Sequence, residues 1–267
     1  IPQVGEMFDL YCLGGASIDL ILEAPRLPKD SEKLIVRQIG QMAGGFIANT
    51  ACGAAKLGLH TAWGGMLGDD DFGHIVIKDF KDFGVEINDI LVDKELSTDY
   101  TVILLSPSGE RTILVIHNTP IPLQLTQQMK QNLKTTKIGY TVFYEKKWFI
   151  EVADLLHSNN GKMAVDMEVN TLTNLDDSRA MLAVTDILFP NEEGLCLVTG
   201  KSNLDESIGK IFSIGPELVI VNMGSSGAKV FSPTEQYSIG IFQVPVKDST
   251  GAGDCFHAAF LYGLISN

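Results

Sequence analysis

From residue 138 to residue 221 the chain alternates between short apolar runs and helix-like segments with almost no interruption. Residues 138–143, 163–166, 187–189 and 218–221 read as strands with no polar face, and residues 147–157, 178–184, 195–198 and 204–214 as helices. A strand that is apolar on both sides must be covered on both sides, and helical crossovers between parallel strands supply that cover. The rhythm therefore predicts an α/β fold with a mostly parallel central sheet flanked by helices on both faces.

The first half carries a second pattern. Residues 8–13 form a buried strand signal ending in Gly14-Gly15. A helix opens at Gly44-Gly45 and runs through Leu57, followed by a strand at 61–66, a helix at 72–83 and a strand signal at 85–92. Two strand pairs do not belong to this series: 19–23 with 33–39, and a hairpin of 100–105 with 111–116. They mix apolar and charged residues, as strands with one wet face do. They predict a small β-sheet beside the main one, so that residues 19–39 and 99–117 form one unit and 1–18, 40–98 and 118–267 the other.

The remaining composition narrows the function. A chain of 267 residues, 45% hydrophobic, can bury a large core. The formal net charge of −13 and the lack of any Lys/Arg run argue against a nucleic-acid surface. No stretch reads as a membrane span or a signal peptide. Cys12, Cys52, Cys196 and Cys255 lie far apart in apolar surroundings, which predicts buried thiols and a cytoplasmic location. Gly194 to Ser202 ends like a phosphate loop, but five residues separate Gly194 from Gly200 where that loop needs four, and they are mainly apolar.

Chemistry concentrates near the end, in 244–260. A short strand signal around Val244 meets Asp248-Ser249-Thr250-Gly251-Ala252-Gly253-Asp254, and an apolar helix is expected from Ala252 to Leu264. A glycine-rich helix start lets backbone N–H groups approach an anion. Asp254 in the first turn would repel a phosphate unless it has a task, such as taking a proton from an attacking hydroxyl. The same residues also fit a plain tight turn with a helix-start acid.

Three other places could meet a ligand. Gly44 and Gly45 open a helix in which Asn49 lies one turn in. Ser17 and Asp19 follow the first strand, where α/β sheets bind ligands and where a carboxylate can accept from vicinal hydroxyls. Asn222, Gly224 and Gly227 follow a buried strand and suit either a nucleotide or a simple turn.

Together these motifs resemble the PfkB, or ribokinase-like, family of carbohydrate kinases, over nearly the whole chain. Residues 248–254 look like its carboxyl-terminal signature, with Ser249 in place of a usual Thr. Gly44-Gly45 with Asn49, and Gly64 through Gly73, look like its amino-terminal signature. The resemblance implies a ribokinase-like fold whose small sheet is a lid. It implies an ATP-dependent kinase acting on a hydroxymethyl group of a small carbohydrate, with Asp254 as the base and the N–H groups of Gly251, Ala252 and Gly253 as an anion hole. Asp19, Gly44, Gly45 and Asn49 match sugar-holding positions, Ser17 stands at another where ribokinases proper have an Asn, so that ribose is not secured as the substrate, and Asn191, Asn222, Gly224 and Gly227 match nucleotide-holding ones. Asp248 and Thr250 match part of a site for a monovalent cation such as K⁺, beside Mg²⁺ on the nucleotide. A nucleoside kinase and a non-catalytic sugar- or nucleotide-binding protein are the alternatives. A homodimer through the lid is a further expectation.

Two departures stand out. The family often carries N-x-x-E, whose glutamate acts on magnesium through water. Here Asn191-Glu192-Glu193 is followed by Gly194, leaving Glu193 or Glu192 to take that part. Family members also continue for several dozen residues past the helix that Asp254 starts, and Ile1 is not a Met, so the chain is expected to be truncated.

Overall fold

A computed structural model describes residues 7–108, 110–120, 124–168, 175–245 and 249–266. In chain order the elements are β1 (Leu10–Leu13), β2 (Ser17–Glu23), β3 (Arg37–Gly44), α1 (Phe46–Leu57), β4 (Thr61–Gly68), α2 (Asp71–Phe83), β5 (Ile90–Asp93), β6 (Tyr100–Leu105) and β7 (Arg111–Ile116). Then come α3 (Gln127–Thr135), β8 (Ile138–Val142), α4 (Lys146–His157), β9 (Lys162–Met167), α5 (Leu175–Leu182), β10 (Ile187–Pro190), α6 (Glu192–Thr199), α7 (Leu204–Phe212), β11 (Leu218–Asn222), β12 (Ala228–Phe231), β13 (Gln236–Ile239) and α8 (Ala252–Ser266).

The main sheet runs β13-β12-β11-β10-β9-β8-β1-β4-β5. It is parallel from β11 to β5, and β12 and β13 add an antiparallel edge. β1 shows why two faces are covered. Tyr11 and Leu13 join one core cluster, beneath Met129, Phe149, Leu195 and Ile208 of α3, α4, α6 and α7. Leu10 and Cys12, pointing the other way, join a second beneath Ile47, Ala51, Phe80 and Leu261 of α1, α2 and α8. From β1 the chain moves outward to β4 and β5, then returns on the other side through β8. That reversal between β1 and β8 is a topological switch point, where the strands' carboxyl ends open a crevice.

The smaller sheet has the order β3-β2-β6-β7. β2 pairs antiparallel with β3 and parallel with β6, and β6–β7 is the expected hairpin. The fold is thus the ribokinase-like arrangement of a large, mostly parallel sheet with a small sheet as lid.

Three local expectations are corrected, and one helix is added. The strand expected at 33–39 begins at Arg37 and extends to Gly44, because Glu23↔Arg37 is the last pair in register and Ala24 turns away to bond Leu105. The signal at 85–92 is interrupted: Asp89 turns inward to accept from Tyr11 and Asn132, both at 2.6 Å, and β5 starts only at Ile90. No strand includes Val244 or Pro245; Pro245 has no N–H to give a ladder, and 246–248 lie outside the described residues. Helix α3 was not legible, since only Met129, Asn132 and Leu133 of its nine residues are buried.

Candidate active site

Helix α8 starts where Gly251 adopts φ +73°, a left-handed conformation that favours glycine. Its first turn directs N–H groups off the helix end, with partial positive charge. Asp254 sits in that turn, half-buried. Its carboxylate accepts a 2.7 Å hydrogen bond from the side-chain amide of Asn49, and Thr50 donates to its carbonyl at 3.5 Å. Both donors belong to α1, so α1 grips Asp254 by side chain and by backbone.

The start of α1 is equally constrained. Gly45 has φ +98°, and a Cβ there would come within 3.2 Å of the Ala16 backbone. A Cβ on Gly44 would stand 2.5 Å from Oδ2 of Asp19, so the missing side chain is the room that carboxylate occupies. Ser17 pairs with Gly44 across β2 and β3, and the chain passes from there through Gly45 into the first turn of α1, where Asn49 lies.

Four carboxylates share this region. Burial raises Asp254; the Asn49 hydrogen bond opposes it, and the charges of Glu168 and Asp19 add to the rise. Burial raises Asp19 too, against a hydrogen bond from Thr101. Asp166 is pushed well above the usual carboxylate range by burial, then by Glu168 and Asp254, against a hydrogen bond from Tyr140. Asp19 of β2 and Glu168, just after β9, thus both act on Asp254 through their charge.

The other expected residues lie further along the sheet edge. Asn191 caps α6 by accepting from the N–H of Gly194 at 2.7 Å, and its amide reaches Glu168 at 3.5 Å. Asn222 accepts from the N–H of Gly224 at 3.1 Å. Gly227, at φ +91°, has no room for a Cβ, which would fall 1.9 Å from the Ile239 carbonyl. Among the described residues no hydrogen bond or ion pair joins Asn222, Gly224 or Gly227 to Asp254; the loop follows the carboxyl end of β11. Glu193 is exposed. Thr250 lies in the turn before α8, and Asp248 is outside the described residues.

Sequence reasoning missed Glu168, Asp166, Tyr140 and His257. Asp166-Met167-Glu168 closes a buried parallel strand, which was the available signal.

Comparison with known proteins decides the family. A family model described as pfkB family carbohydrate kinase matches residues 7–267. The chain belongs to the pfkB family of carbohydrate kinases. Membership makes this pfkB protein a phosphotransferase with an alcohol group as acceptor. It is 26% identical to a ribokinase of Arabidopsis thaliana over 272 residues, covering 96% of this chain and 70% of that protein. It is 28% identical to a fructokinase of Solanum tuberosum over 237 residues, 84% of this chain and 72% of that one. The solved structure of Arabidopsis thaliana ribokinase complexed with ribose and ATP superposes with a TM-score of 0.86 at 26% identity, over 98% of this chain and 87% of that one. Among the described residues no helix is long and apolar enough to cross a membrane.

Proposed function

We propose that this pfkB-family kinase transfers the γ-phosphoryl group of ATP to a hydroxymethyl group of a small, uncharged carbohydrate, with Asp254 as general base. The observation that carries the reading is the Asn49–Asp254 hydrogen bond at the mouth of α8. It joins a proton acceptor, a neutral amide for orienting hydroxyls and a helix N-terminus. Asp19 and Asn49 hold the acceptor's hydroxyls. Asp254 takes the proton as the hydroxyl attacks. The N–H groups of Gly251 and Gly253 stabilise charge on the transferring group, worth about 3 kcal/mol per donor in comparable sites, while that of Ala252 is given to the Ser249 carbonyl at 3.2 Å. Asn191 and the Asn222–Gly227 loop accommodate the nucleotide, and the small sheet closes over the sugar.

The donor set fits a magnesium ion held through ATP phosphates and water. Among the described residues no group of three or more His, Cys, Asp or Glu could cage a metal by itself. Magnesium characteristically keeps its waters and takes one or two carboxylates. With Gly194 in the usual glutamate's place, Glu168, which meets the Asn191 amide at 3.5 Å and whose charge acts on Asp254, is a carboxylate to weigh beside Glu193; both are exposed. When bound, the ion neutralises phosphate charge. A monovalent-cation site including Thr250 belongs to the same proposal.

A nucleoside acceptor is the second reading. Phe46, next to Gly45, stays 38% exposed and offers an aromatic face to a base. The lid's exposed Ile39, Met42, Ile113, Leu114 and Val115 favour a homodimer, which sedimentation would detect as a doubled mass. The expectation of buried thiols holds for Cys12 alone, since Cys52 and Cys196 are half-buried and Cys255 is exposed; four free cysteines still suit a reducing, cytoplasmic setting.

The test is ATP consumption with ribose, fructose, 2-keto-3-deoxygluconate and adenosine, comparing the parent chain with Asp254→Asn. Loss of about 10²–10⁴ in turnover is expected for removal of a general base. Near-parental turnover in the variant rejects the assignment.

A further inference from the structure

Beneath the first turn of α8 lies a buried polar group that the phosphoryl-transfer scheme does not use. His257 stands one turn after Asp254 and is only 7% exposed. Its Nδ1 is 2.9 Å from the hydroxyl of Tyr140 on β8 and 3.9 Å from Oδ2 of Asp166 on β9. Asp166 and Thr50 also lie close enough to the Tyr140 hydroxyl to interact with it. Phe189 of β10 lies against the imidazole, ring centroids 4.3 Å apart. Three adjacent strands thus seat one side chain of α8.

An apolar side chain would fill this place without the cost of burying polar groups, each of which must then be satisfied. The rest of the buried face of α8 is apolar, through Ala258 and Leu261. Ala258 packs so close to α1 that a Cβ on Gly53 would approach its methyl at 3.0 Å. Contacts between such small, smooth groups hold helices together but fix their register weakly. A hydrogen bond has a preferred length and direction, so it resists sliding and rotation.

We propose that Tyr140, His257 and Asp166 form a positioning cluster for Asp254, pinning the start of α8 to β8 and β9 so that the carboxylate and the first-turn N–H groups stay aimed into the crevice. This rests on the reading of Asp254 as the base. Asn49 and Thr50 hold Asp254 from α1; the cluster holds its helix from the sheet. Their part is to position Asp254, not to contact the substrate.

The experiment measures kcat, both KM values and thermal unfolding for Tyr140→Phe, His257→Leu, His257→Asn and Asp254→Asn, using ATP and the best acceptor of ribose, fructose, 2-keto-3-deoxygluconate and adenosine. Tyr140→Phe removes one oxygen and keeps the shape. It and His257→Leu are expected to lower kcat about 10- to 100-fold, as a small misplacement of a reacting group does, with both KM values within about twofold. His257→Asn offers an amide near the Nδ1 position and is expected to keep kcat within about threefold of the parent. Unchanged kcat in Tyr140→Phe and His257→Leu, with Asp254→Asn inactive, overturns the positioning role and leaves the kinase reading intact. So does equal loss in both His257 variants, or a fall in kcat matched by a rise in both KM values. Turnover surviving in Asp254→Asn strikes the kinase reading instead.

Discussion

The side-chain amide of Asn49 donates to the carboxylate of Asp254 at 2.7 Å, across 205 positions of sequence. A hydrogen bond to the charged form of an acid favours that form, and here it opposes the rise caused by burial and by the charges of Glu168 and Asp19. A general base works only when ionised, so the acid limb of kcat/KM should lie above 3.8, the ordinary aspartate value. Asn49→Ala should move that limb to higher pH and Glu168→Gln to lower pH. A pH profile of kcat/KM checks both signs, and limbs that stay together mean another group titrates.

Gly44 and Asp19 give a prediction about binding. A Cβ on Gly44 would sit 2.5 Å from Oδ2 and 2.9 Å from Cγ of Asp19, so Gly44→Ala must displace that carboxylate. If Asp19 holds acceptor hydroxyls, the acceptor KM should rise about tenfold with kcat little changed, the signature of lost uniform binding. Gly15→Ala is the control, since its Cβ meets nothing within 4 Å. Steady-state kinetics over a range of acceptor concentrations decides it.

The sheet and most helices were legible because apolar runs such as Leu218–Asn222 and the even burial of Ile138–Val142 leave few alternatives. The helix at Ala252 was legible from an apolar run of good helix formers behind Gly251 and Gly253. What stayed hidden depends on pairing between distant positions. Val244 looks strand-forming, yet no strand includes it or Pro245. His257 lies among apolar residues and reads as core; that Tyr140 and Asp166 meet it is set by the order β8-β9-β10 and by α8 crossing that face. Glu168 came into view only because β9 ends beside β10, where Asn191 begins the next helix.

Gly65 and Gly209 should respond oppositely to alanine. A Cβ on Gly65 would fall 2.1 Å from Cη2 of Trp63 and 2.5 Å from the Gly14 carbonyl. Trp63 is fully buried and stacked on Phe80 at 5.0 Å, so it has nowhere to retreat. Gly65→Ala should cost about 1–3 kcal/mol by overpacking. Gly209 lies exposed inside α7 with open space around it, and Gly209→Ala should add about 0.5–1 kcal/mol. Urea unfolding midpoints of the two variants check the contrast.

His257 makes stability depend on pH in a definite direction. Burial lowers its pKa from 6.5 to about 4, so the folded chain binds fewer protons there than the unfolded chain between those values. Stability therefore rises with pH across that window. The contribution is fully present above pH 6.5 and is lost as pH falls through about 4, about 3 kcal/mol in all. Tyr140 faces the ring from β8 and Asp166 from β9, while Asp254 shares its helix. Asp166 and Asp254 have raised pKa values and act in the opposite sense, since each favours the folded chain as pH falls. His257→Asn removes the titrating ring but keeps a hydrogen-bonding group. The unfolding free energy at pH 7 minus that at pH 4.5 should be smaller in the variant than in the parent, as a signed quantity, by the histidine's share. An identical difference in the two proteins would mean that His257 keeps an ordinary pKa in the folded chain.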